Sequence, residues 1–246
     1  MSRFAVILPA AGQSSRFGDK EKKVFANLDG RAVWLRVAEL FVNRDDVAQT
    51  LLVVSPEDME MVKAKYGSHL GLYGVEIVPG GKERFDSVAN ALARIRPGIG
   101  FVAIHDAARP CVQTSHIDAV FAAAIKTGAA LLAVPVSDTV KRADVSHAVM
   151  ETVPRKGLWL AQTPQVFRRD LIEGAHARRS TLGADLTDDA QLVEAAGHAV
   201  HLIAGSASNL KITTRDDLDL AAAILKSRPA PKTPRAAHPF EDEAKW

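Results

Sequence analysis

The chain has 246 residues, of which 47% are hydrophobic and 24% charged, a composition typical of a globular protein. The 31 basic residues nearly balance the 29 acidic ones, and no long block of lysines and arginines indicates nucleic-acid binding. A single cysteine excludes an intrachain disulfide, and the first apolar run is too short for a signal peptide or a membrane span. We therefore expect a cytoplasmic protein whose partners are small molecules, with no nucleic acid and no membrane among them.

Short apolar runs rich in β-branched residues alternate with helical patterns along the chain. The predicted strands are 4–8, 50–54, 75–78, 101–104, 130–134 and 199–203. Several of them are apolar throughout, as strands buried on both faces of a parallel sheet are. The alternation predicts an α/β fold with a mostly parallel twisted sheet flanked by helices.

Three helices carry recognisable sequence signals. The string SPED at 55–58 places a hydroxyl, a proline and two acids where a helix begins. Thr214, followed three residues later by Asp217, is similar to a capping box. A third helix is predicted to pack on the sheet through an apolar face at Ile117, Val120, Phe121, Ala124 and Ile125.

Two segments depart from the alternation. Residues 136–158 are polar and strand-like, and we interpret them as an arm that projects from the main sheet. Such an arm has few core-forming residues, so we expect it to pair with a second copy in a homodimer. Residues 229–246 are rich in proline and charge and are predicted to be a disordered tail or linker, which leaves 1–228 as the folded domain.

The first predicted strand leads into the loop PAAGQSSRFG at 9–18. Small residues after a strand let backbone N–H groups approach a phosphate, although an ordinary turn explains this loop equally well. The string is neither a dinucleotide fingerprint nor a P-loop.

Basic residues lie in and just after the loop, at Arg16, Lys20, Lys22 and Lys23. This cluster favours polyphosphate chemistry, in which the nucleophile and the leaving group are both anionic.

Two further elements follow predicted strands. The glycine pair at 80–81 suits a nucleobase or ribose contact through main-chain groups, with a plain turn as the alternative. The string HDAARP at 105–110 places Asp106 and Arg109 at the carboxyl end of a strand, where open α/β sheets bind ligands. A structural ion pair between these two is the alternative. His105 is expected to be packed rather than metal-bound, since the histidines show no zinc-binding spacing.

Together with strings farther along the chain, these elements resemble one family, 2-C-methyl-D-erythritol 4-phosphate cytidylyltransferase of the non-mevalonate isoprenoid pathway. The strings that carry the resemblance are PAAGQSSRFG, GGKERFDSV, HDAARP, PVSDTVKR, GLWLAQTPQVF, LTDDA and NLKITTRDDL. The resemblance extends over residues 4–226, and the combination of these strings is highly specific. The resemblance implies a Rossmann-like nucleotidyltransferase fold with a protruding β-arm for dimerisation. It also implies transfer of CMP from CTP to 2-C-methyl-D-erythritol 4-phosphate, giving 4-diphosphocytidyl-2-C-methyl-D-erythritol and pyrophosphate.

The resemblance implies roles for individual residues. The expected CTP-binding residues are Pro9, Ala10, Ala11, Gly12, Gly81, Lys82, Ser87, Asp106 and Ala107. The residues expected to hold the methylerythritol phosphate are Asp106, Arg109, Thr139, Arg155, Thr163 and Lys211, with Arg155 and Thr163 reaching over from a second subunit through the arm. The expected catalytic residues are Arg16, Lys23, Arg155 and Lys211, the first two stabilising charge on the α-phosphate. Magnesium is expected as the cofactor, held mainly by the CTP phosphates rather than by protein side chains.

The chain departs from the family pattern at two places. The family often has Pro-Lys-Gln-Tyr where this chain has KKVF at 22–25, so Lys22 and Lys23 both become candidates, and alignment favours Lys23. The usual aspartate after the glycine pair is replaced by Lys82, which puts a side-chain contact with CTP there in doubt.

Three other functions compete with this interpretation. A cytidylyltransferase for another polyol phosphate, such as ribitol 5-phosphate, would share the CTP half of the site. A non-catalytic nucleotide-binding paralogue would have no need of the charged set Arg16, Lys23, Asp106 and Lys211. A Rossmann dehydrogenase is disfavoured because the glycine fingerprint is missing and Ser55, not an acid, ends the second strand.

Overall fold

The computed structural model describes residues 3–18, 21–181 and 186–228, without the side chains of Arg16 and Ser180. The predicted tail at 229–246 lies outside these residues. The strands in chain order are β1 (Phe4–Pro9), β2 (Asn27–Leu28), β3 (Arg31–Ala32), β4 (Val47–Val54), β5 (Val75–Pro79), β6 (Phe101–Ile104), β7 (Ala129–Pro135), β8 (Val140–Ala143), β9 (Val149–Val153), β10 (Trp159–Arg168) and β11 (His201–Ala204). The helices are α1 (Val33–Val42), α2 (Met59–Tyr73), α3 (Arg84–Leu92), α4 (Thr114–Thr127), α5 (Arg169–Ala177), α6 (Asp189–Ala195) and α7 (Arg215–Lys226).

A seven-stranded sheet forms the centre of the protein, in the order β11-β7-β10-β6-β1-β4-β5. β10 runs antiparallel to both of its neighbours, and the other pairs are parallel. All six predicted strands are confirmed, the second beginning three residues earlier, at Val47. β10 was not predicted, because its centre is polar and contains Pro164, which sequence rules associate with strand edges.

Successive residues of β1 point to opposite faces of the sheet, and each face is covered by helices. Val6 and Leu8 contribute to one apolar cluster, to which α1, α2, α4 and α7 also contribute. Ala5 and Ile7 contribute to the other, which includes residues of α3, α5 and α6. Because both faces are covered, the loops at the carboxyl ends of the strands are the accessible part of the sheet.

The predicted helix signals are confirmed with two corrections. Thr214 and Asp217 form a complete capping box at the start of α7. The string at 55–58 opens a 3-10 turn that leads into α2, but the Ser55 hydroxyl does not cap it and donates to the Asp58 carboxylate instead (2.7 Å). On α4, Ile125 is half exposed, whereas the other four predicted apolar positions are buried. Across the described ranges, no helix combines the length and apolarity needed to cross a membrane.

The segment predicted to be an arm contains an antiparallel hairpin. β8 and β9 pair only with each other and form a two-stranded sheet separate from the main one. Almost all of their residues are exposed, including the apolar Val149 and Met150. The hairpin therefore contributes little to the core of its own chain.

Candidate active site

A cleft of about 440 Å³ opens at the carboxyl ends of β1, β4, β5 and β6. Ten of the predicted site residues line it, namely Pro9, Ala10, Ala11, Gly12, Lys23, Gly81, Lys82, Ser87, Asp106 and Lys211. Ala107 is fully buried, and its N–H donates to the carbonyl of Pro9 (3.4 Å), which ties the loop after β6 to the loop after β1. The cleft lies where open α/β sheets bind their ligands.

The loop after β1 ends in a 3-10 turn that includes Arg16. Ser14 enters the turn with a φ of 56°, and Gly18 leaves it with a φ of 79°. Phe17 is buried, and the guanidinium of Arg215 at the start of α7 lies 5.0 Å from the centre of its ring. The Arg16 side chain and all of Lys20 lie outside the described residues, so their expected phosphate contacts stay predictions.

The two adjacent lysines have different surroundings. The ammonium of Lys22 donates to the Asp58 carboxylate (2.6 Å) and to the Ser55 hydroxyl (2.8 Å). The backbone N–H of Lys23 donates to the Ser14 hydroxyl (3.3 Å), which fixes Lys23 beside the loop after β1. Both lysines line the cleft, but Asp58 neutralises the charge of Lys22. The choice of Lys23 as the functional lysine stays a prediction.

The glycine pair packs closely against the loop after β1. A Cβ atom on Gly80 would lie 2.6 Å from the Cβ of Ala11, so a side chain cannot be accommodated without movement. The N–H of Gly81 donates to the Ser87 hydroxyl (3.0 Å), which donates to a carbonyl at the start of α3 (3.0 Å). Ser87 therefore positions the main chain of Gly81 at the wall of the cleft.

Asp106 is the centre of a charged cluster. Its carboxylate accepts from Lys211 Nζ (3.0 Å) and Arg109 Nε (3.1 Å), and Arg84 lies 3.9 Å away. Burial alone would raise the pKa of Asp106, but the charges of Lys211, Arg84 and Arg109 outweigh it and hold the pKa well below its usual range. The Asp106–Arg109 ion pair considered as an alternative is present, and of its two members Asp106 lines the cleft.

Thr163 joins this cluster from β10. Its hydroxyl accepts from the N–H of Asp106 (3.0 Å) and lies 3.1 Å from Nδ1 of His105. Nε2 of His105 is 3.1 Å from the carbonyl of Arg109, which only accepts, so the neutral ring carries its proton on Nε2. Thr163 then donates to Nδ1. The expectation that Thr163 reaches over from a second subunit is wrong, because it is buried in the sheet of its own chain.

The buried His105 makes stability depend on pH. Burial lowers its pKa from 6.5 to about 4, because the charged ring would lose its hydration. Since the folded-state pKa is depressed, the unfolded chain binds the proton first, and the free energy of unfolding falls as the pH drops from about 6.5 to about 4, by about 3 kcal/mol in total. Urea unfolding of the wild type and of His105→Gln over this range measures the effect, since the glutamine does not titrate. A difference between the two that stays constant with pH would contradict the assignment.

Thr139 and Arg155 lie at the base of the hairpin rather than in the cleft. Thr139 directly precedes β8, Arg155 follows β9 by two residues, and both are exposed. Neither lines the cleft of its own chain. Their expected contact with the acceptor stays a prediction.

Sequence analysis missed three residues that support the site, two of which are fully buried. The guanidinium of Arg84 pairs with the fully buried Asp189 and links α6 to the cleft. Asn209 is also fully buried, and its carbonyl accepts from Arg109 (2.7 Å). All three lie inside strings that carry the family resemblance, but their partners are about a hundred positions away along the chain, so no local pattern shows the contacts.

Comparison with known proteins gives one consistent result. The family model of 2-C-methyl-D-erythritol 4-phosphate cytidylyltransferase (IspD) matches residues 4–227. A protein of that name from Rhodopirellula baltica is 44% identical over 90% of this chain and 94% of its own length. Another from Pelotomaculum thermopropionicum is 42% identical over 93% of this chain and 96% of its own. The crystal structure of the same enzyme from Thermus thermophilus superposes with a TM-score of 0.72 at 32% identity, covering 92% of this chain and all of that one.

Proposed function

Because the chain belongs to the 2-C-methyl-D-erythritol 4-phosphate cytidylyltransferase family, we propose that its cleft holds CTP and the acceptor phosphate side by side. The enzyme transfers CMP from CTP to 2-C-methyl-D-erythritol 4-phosphate, giving 4-diphosphocytidyl-2-C-methyl-D-erythritol and pyrophosphate. The observation that carries the assignment of residues is the convergence of the loop after β1, Lys23 and the Asp106–Lys211 pair on one cavity.

The CTP half of the site is assigned to the loops after β1 and β5. Backbone N–H groups of Ala11 and Gly12 face a phosphate chain in this proposal, with Lys23 and Arg16 adding positive charge, whereas the N–H of Ala10 donates to the carbonyl of Val53 (2.7 Å). Gly81 and the neighbouring main chain contact the cytosine and ribose. Ser87 acts on the base indirectly, because its hydroxyl is already bonded to the main chain on either side. The Lys82 side chain is exposed at the rim and is given no specific contact.

The acceptor half is assigned to Lys211, Arg109, Asp106 and Thr163, completed by Thr139 and Arg155. A phosphate oxygen of the acceptor attacks the α-phosphorus of CTP, and the bond from that phosphorus to the bridging oxygen breaks. Pyrophosphate leaves with the electron pair. No protein nucleophile is needed, because the attacking group is itself a phosphate. The side chains align the two reactants and neutralise charge, which is how proteins accelerate phosphoryl transfer in general.

We propose that magnesium accompanies CTP. In the described part of the chain, no group of three or more histidine, cysteine or acidic side chains could hold a metal ion. The Asp106 carboxylate is bonded to the positively charged side chains of Arg109 and Lys211. These residues therefore offer magnesium few protein ligands, which fits an ion held mainly by the phosphate oxygens of CTP. When bound, magnesium shields the negative charge of the triphosphate.

We further propose a cytoplasmic location with small molecules as the only partners besides a second copy. Support comes from the single cysteine, which leaves no intrachain disulfide to form, and from the near balance of basic and acidic residues.

The acceptor is tested by comparing polyol phosphates. Purified enzyme with CTP and magnesium should release pyrophosphate rapidly with 2-C-methyl-D-erythritol 4-phosphate and slowly with ribitol 5-phosphate. Faster release with ribitol 5-phosphate would favour the alternative acceptor. No release with any acceptor, despite measurable CTP binding, would favour a non-catalytic nucleotide-binding protein. The gathering of Lys23, Asp106 and Lys211 at one cleft supports catalysis over that possibility.

A homodimer formed through the arm is part of the proposal. The hairpin at 140–153 and the start of β10 expose the apolar residues Val145, Val149, Met150, Leu158, Trp159 and Leu160. Exposed apolar residues clustered in this way mark interaction surfaces. Because Arg155 is exposed beside this hairpin, a two-fold partner would bring it to the other subunit's cleft.

Mixed dimers test this sharing of the site. Lys23→Ala removes a residue of the cleft, and Arg155→Ala removes a residue of the arm. If the arm completes the partner's site, a dimer of one Lys23→Ala and one Arg155→Ala subunit, purified through two different tags, retains about half of the wild-type activity, since one of its two sites is complete. Each variant alone should be nearly inactive. Mixed dimers no more active than the separate variants would place Arg155 at its own chain's site.

A further inference from the structure

Asn209 is a fully buried polar residue in the segment that carries Lys211. Its side-chain Nδ2 donates to Oε1 of Gln162 (3.2 Å) and to the carbonyl of Thr163 (2.9 Å), both on β10. Its backbone carbonyl accepts from Nη1 of Arg109 (2.7 Å). Residues 205–213 contain neither helix nor strand, so bonds of this kind determine where the segment lies.

These hydrogen bonds connect the residues of the acceptor half of the site to one another. Arg109 and Lys211 both bind the Asp106 carboxylate, at 3.1 Å and 3.0 Å. Arg109 is held by the carbonyl of Asn209, and the chain reaches Lys211 two residues later. Just beyond Lys211, the N–H of Ile212 donates to a carbonyl of the loop after β6 (2.8 Å). Lys211 is therefore fixed on both sides by hydrogen bonds from a segment without regular structure.

We propose that Asn209 is a positioning residue for the acceptor phosphate. Its side-chain amide fixes the segment that carries Lys211 to β10 at Thr163, and this places the backbone carbonyl of Asn209 where it accepts from Arg109. Two of the hydrogen bonds of Asn209 lead to Thr163 and Arg109, which are assigned to the acceptor, whereas Lys23 and Gly81 lie on other loops. The inference rests on the proposed function, because that function assigns Thr163, Arg109 and Lys211 to the acceptor.

The substitution Asn209→Asp tests the role with little change in shape. It places an oxygen opposite two acceptors, Oε1 of Gln162 and the carbonyl of Thr163, so the bonds are replaced by repulsion. We expect the KM for the acceptor to rise about tenfold or more and kcat to fall, while the KM for CTP stays within about twofold of wild type. Ser208→Ala is the matched control in the same segment, because within the described ranges the Ser208 hydroxyl bonds to Ser206 (2.9 Å) and to no residue of the acceptor cluster. It should keep wild-type constants.

A second variant, Gln162→Ala, covers the case in which Asn209→Asp does not fold. It removes one of the two acceptors of the Asn209 amide and leaves the bond to the Thr163 carbonyl, so a smaller rise in the acceptor KM is expected. Thermal unfolding of each variant reports the folded fraction. An acceptor KM within about twofold of wild type in the folded variants would overturn the proposal. An equal rise in both KM values, or a loss of kcat that follows the folded fraction alone, would also overturn it.

The activity of the wild type distinguishes failure of the proposed function from failure of this inference. If the wild type releases no pyrophosphate from CTP and 2-C-methyl-D-erythritol 4-phosphate, both fall together. If the wild type is active and Asn209→Asp binds the acceptor normally, only the positioning role falls.

Discussion

Replacing Lys23 with alanine should lower kcat by about a hundredfold or more, with a much smaller change in the Kd of CTP. During transfer, negative charge on the α-phosphoryl and bridging oxygens rises above that of bound CTP. A fixed cation at this position therefore stabilises the transition state more than the ground state. Lys23 is placed for this role at the wall of the cleft, with its backbone bonded to Ser14 of the loop after β1. Steady-state kinetics and direct CTP binding measure the two quantities.

Lys22→Ala is the matched control, because Lys22 also lines the cleft and carries the same charge. Its ammonium is bonded to Asp58 and Ser55, so its removal should change kcat by no more than a few fold. Arg16→Ala is expected to behave like Lys23→Ala. An inactive Lys22→Ala beside an active Lys23→Ala would transfer the catalytic role to Lys22. Full activity of both Arg16→Ala and Lys23→Ala would overturn the mechanism.

CTP should exceed UTP in kcat/KM by about a thousandfold or more. Cytosine and uracil differ at the exocyclic amine, and a site that hydrogen-bonds a base edge is left with unpaired polar groups when the wrong base binds. The main chain at Gly80 and Gly81 is fixed closely against Ala11 and by the Ser87 hydroxyl, which gives this part of the cleft little room to adapt. Pyrophosphate release with each nucleotide at limiting concentration measures the ratio.

Purine nucleotides extend the same experiment. ATP and GTP should be used as poorly as UTP, because the larger base does not fit contacts made for a pyrimidine edge. Comparable kcat/KM values for UTP and CTP would show that the main chain after β5 does not read the base.

The main-sheet strands that sequence analysis identified are buried by apolar residues, whereas β10, the main-sheet strand that it missed, is stabilised by polar ones. Gln162, Thr163 and Gln165 of β10 are buried, and each makes hydrogen bonds to residues distant in the chain. Periodicity detects the alternation of apolar and polar residues, and therefore cannot distinguish a polar residue with buried partners from one in a loop. The antiparallel strand that brings Thr163 to Asp106 had to come from the structure.

The sequence predicts those residues of the site that lie just after the ends of strands. Pro9, Gly81 and Asp106 lie within three residues of the ends of predicted strands, and the fold brings those ends together. Lys211 lies after no predicted strand, and only the family resemblance indicated it. Asn209 gave no local signal, because its role consists of bonds across 46 to 100 positions.

The most direct test of the central claim follows the α-phosphate of CTP. The enzyme is incubated with magnesium, 2-C-methyl-D-erythritol 4-phosphate and CTP radiolabelled at the α-phosphate, and the products are separated. The label should appear in 4-diphosphocytidyl-2-C-methyl-D-erythritol, with one unlabelled pyrophosphate released for each product formed. Label that stays in CTP, or that is released without being joined to the acceptor, would contradict the assignment of this cleft as a cytidylyl-transfer site.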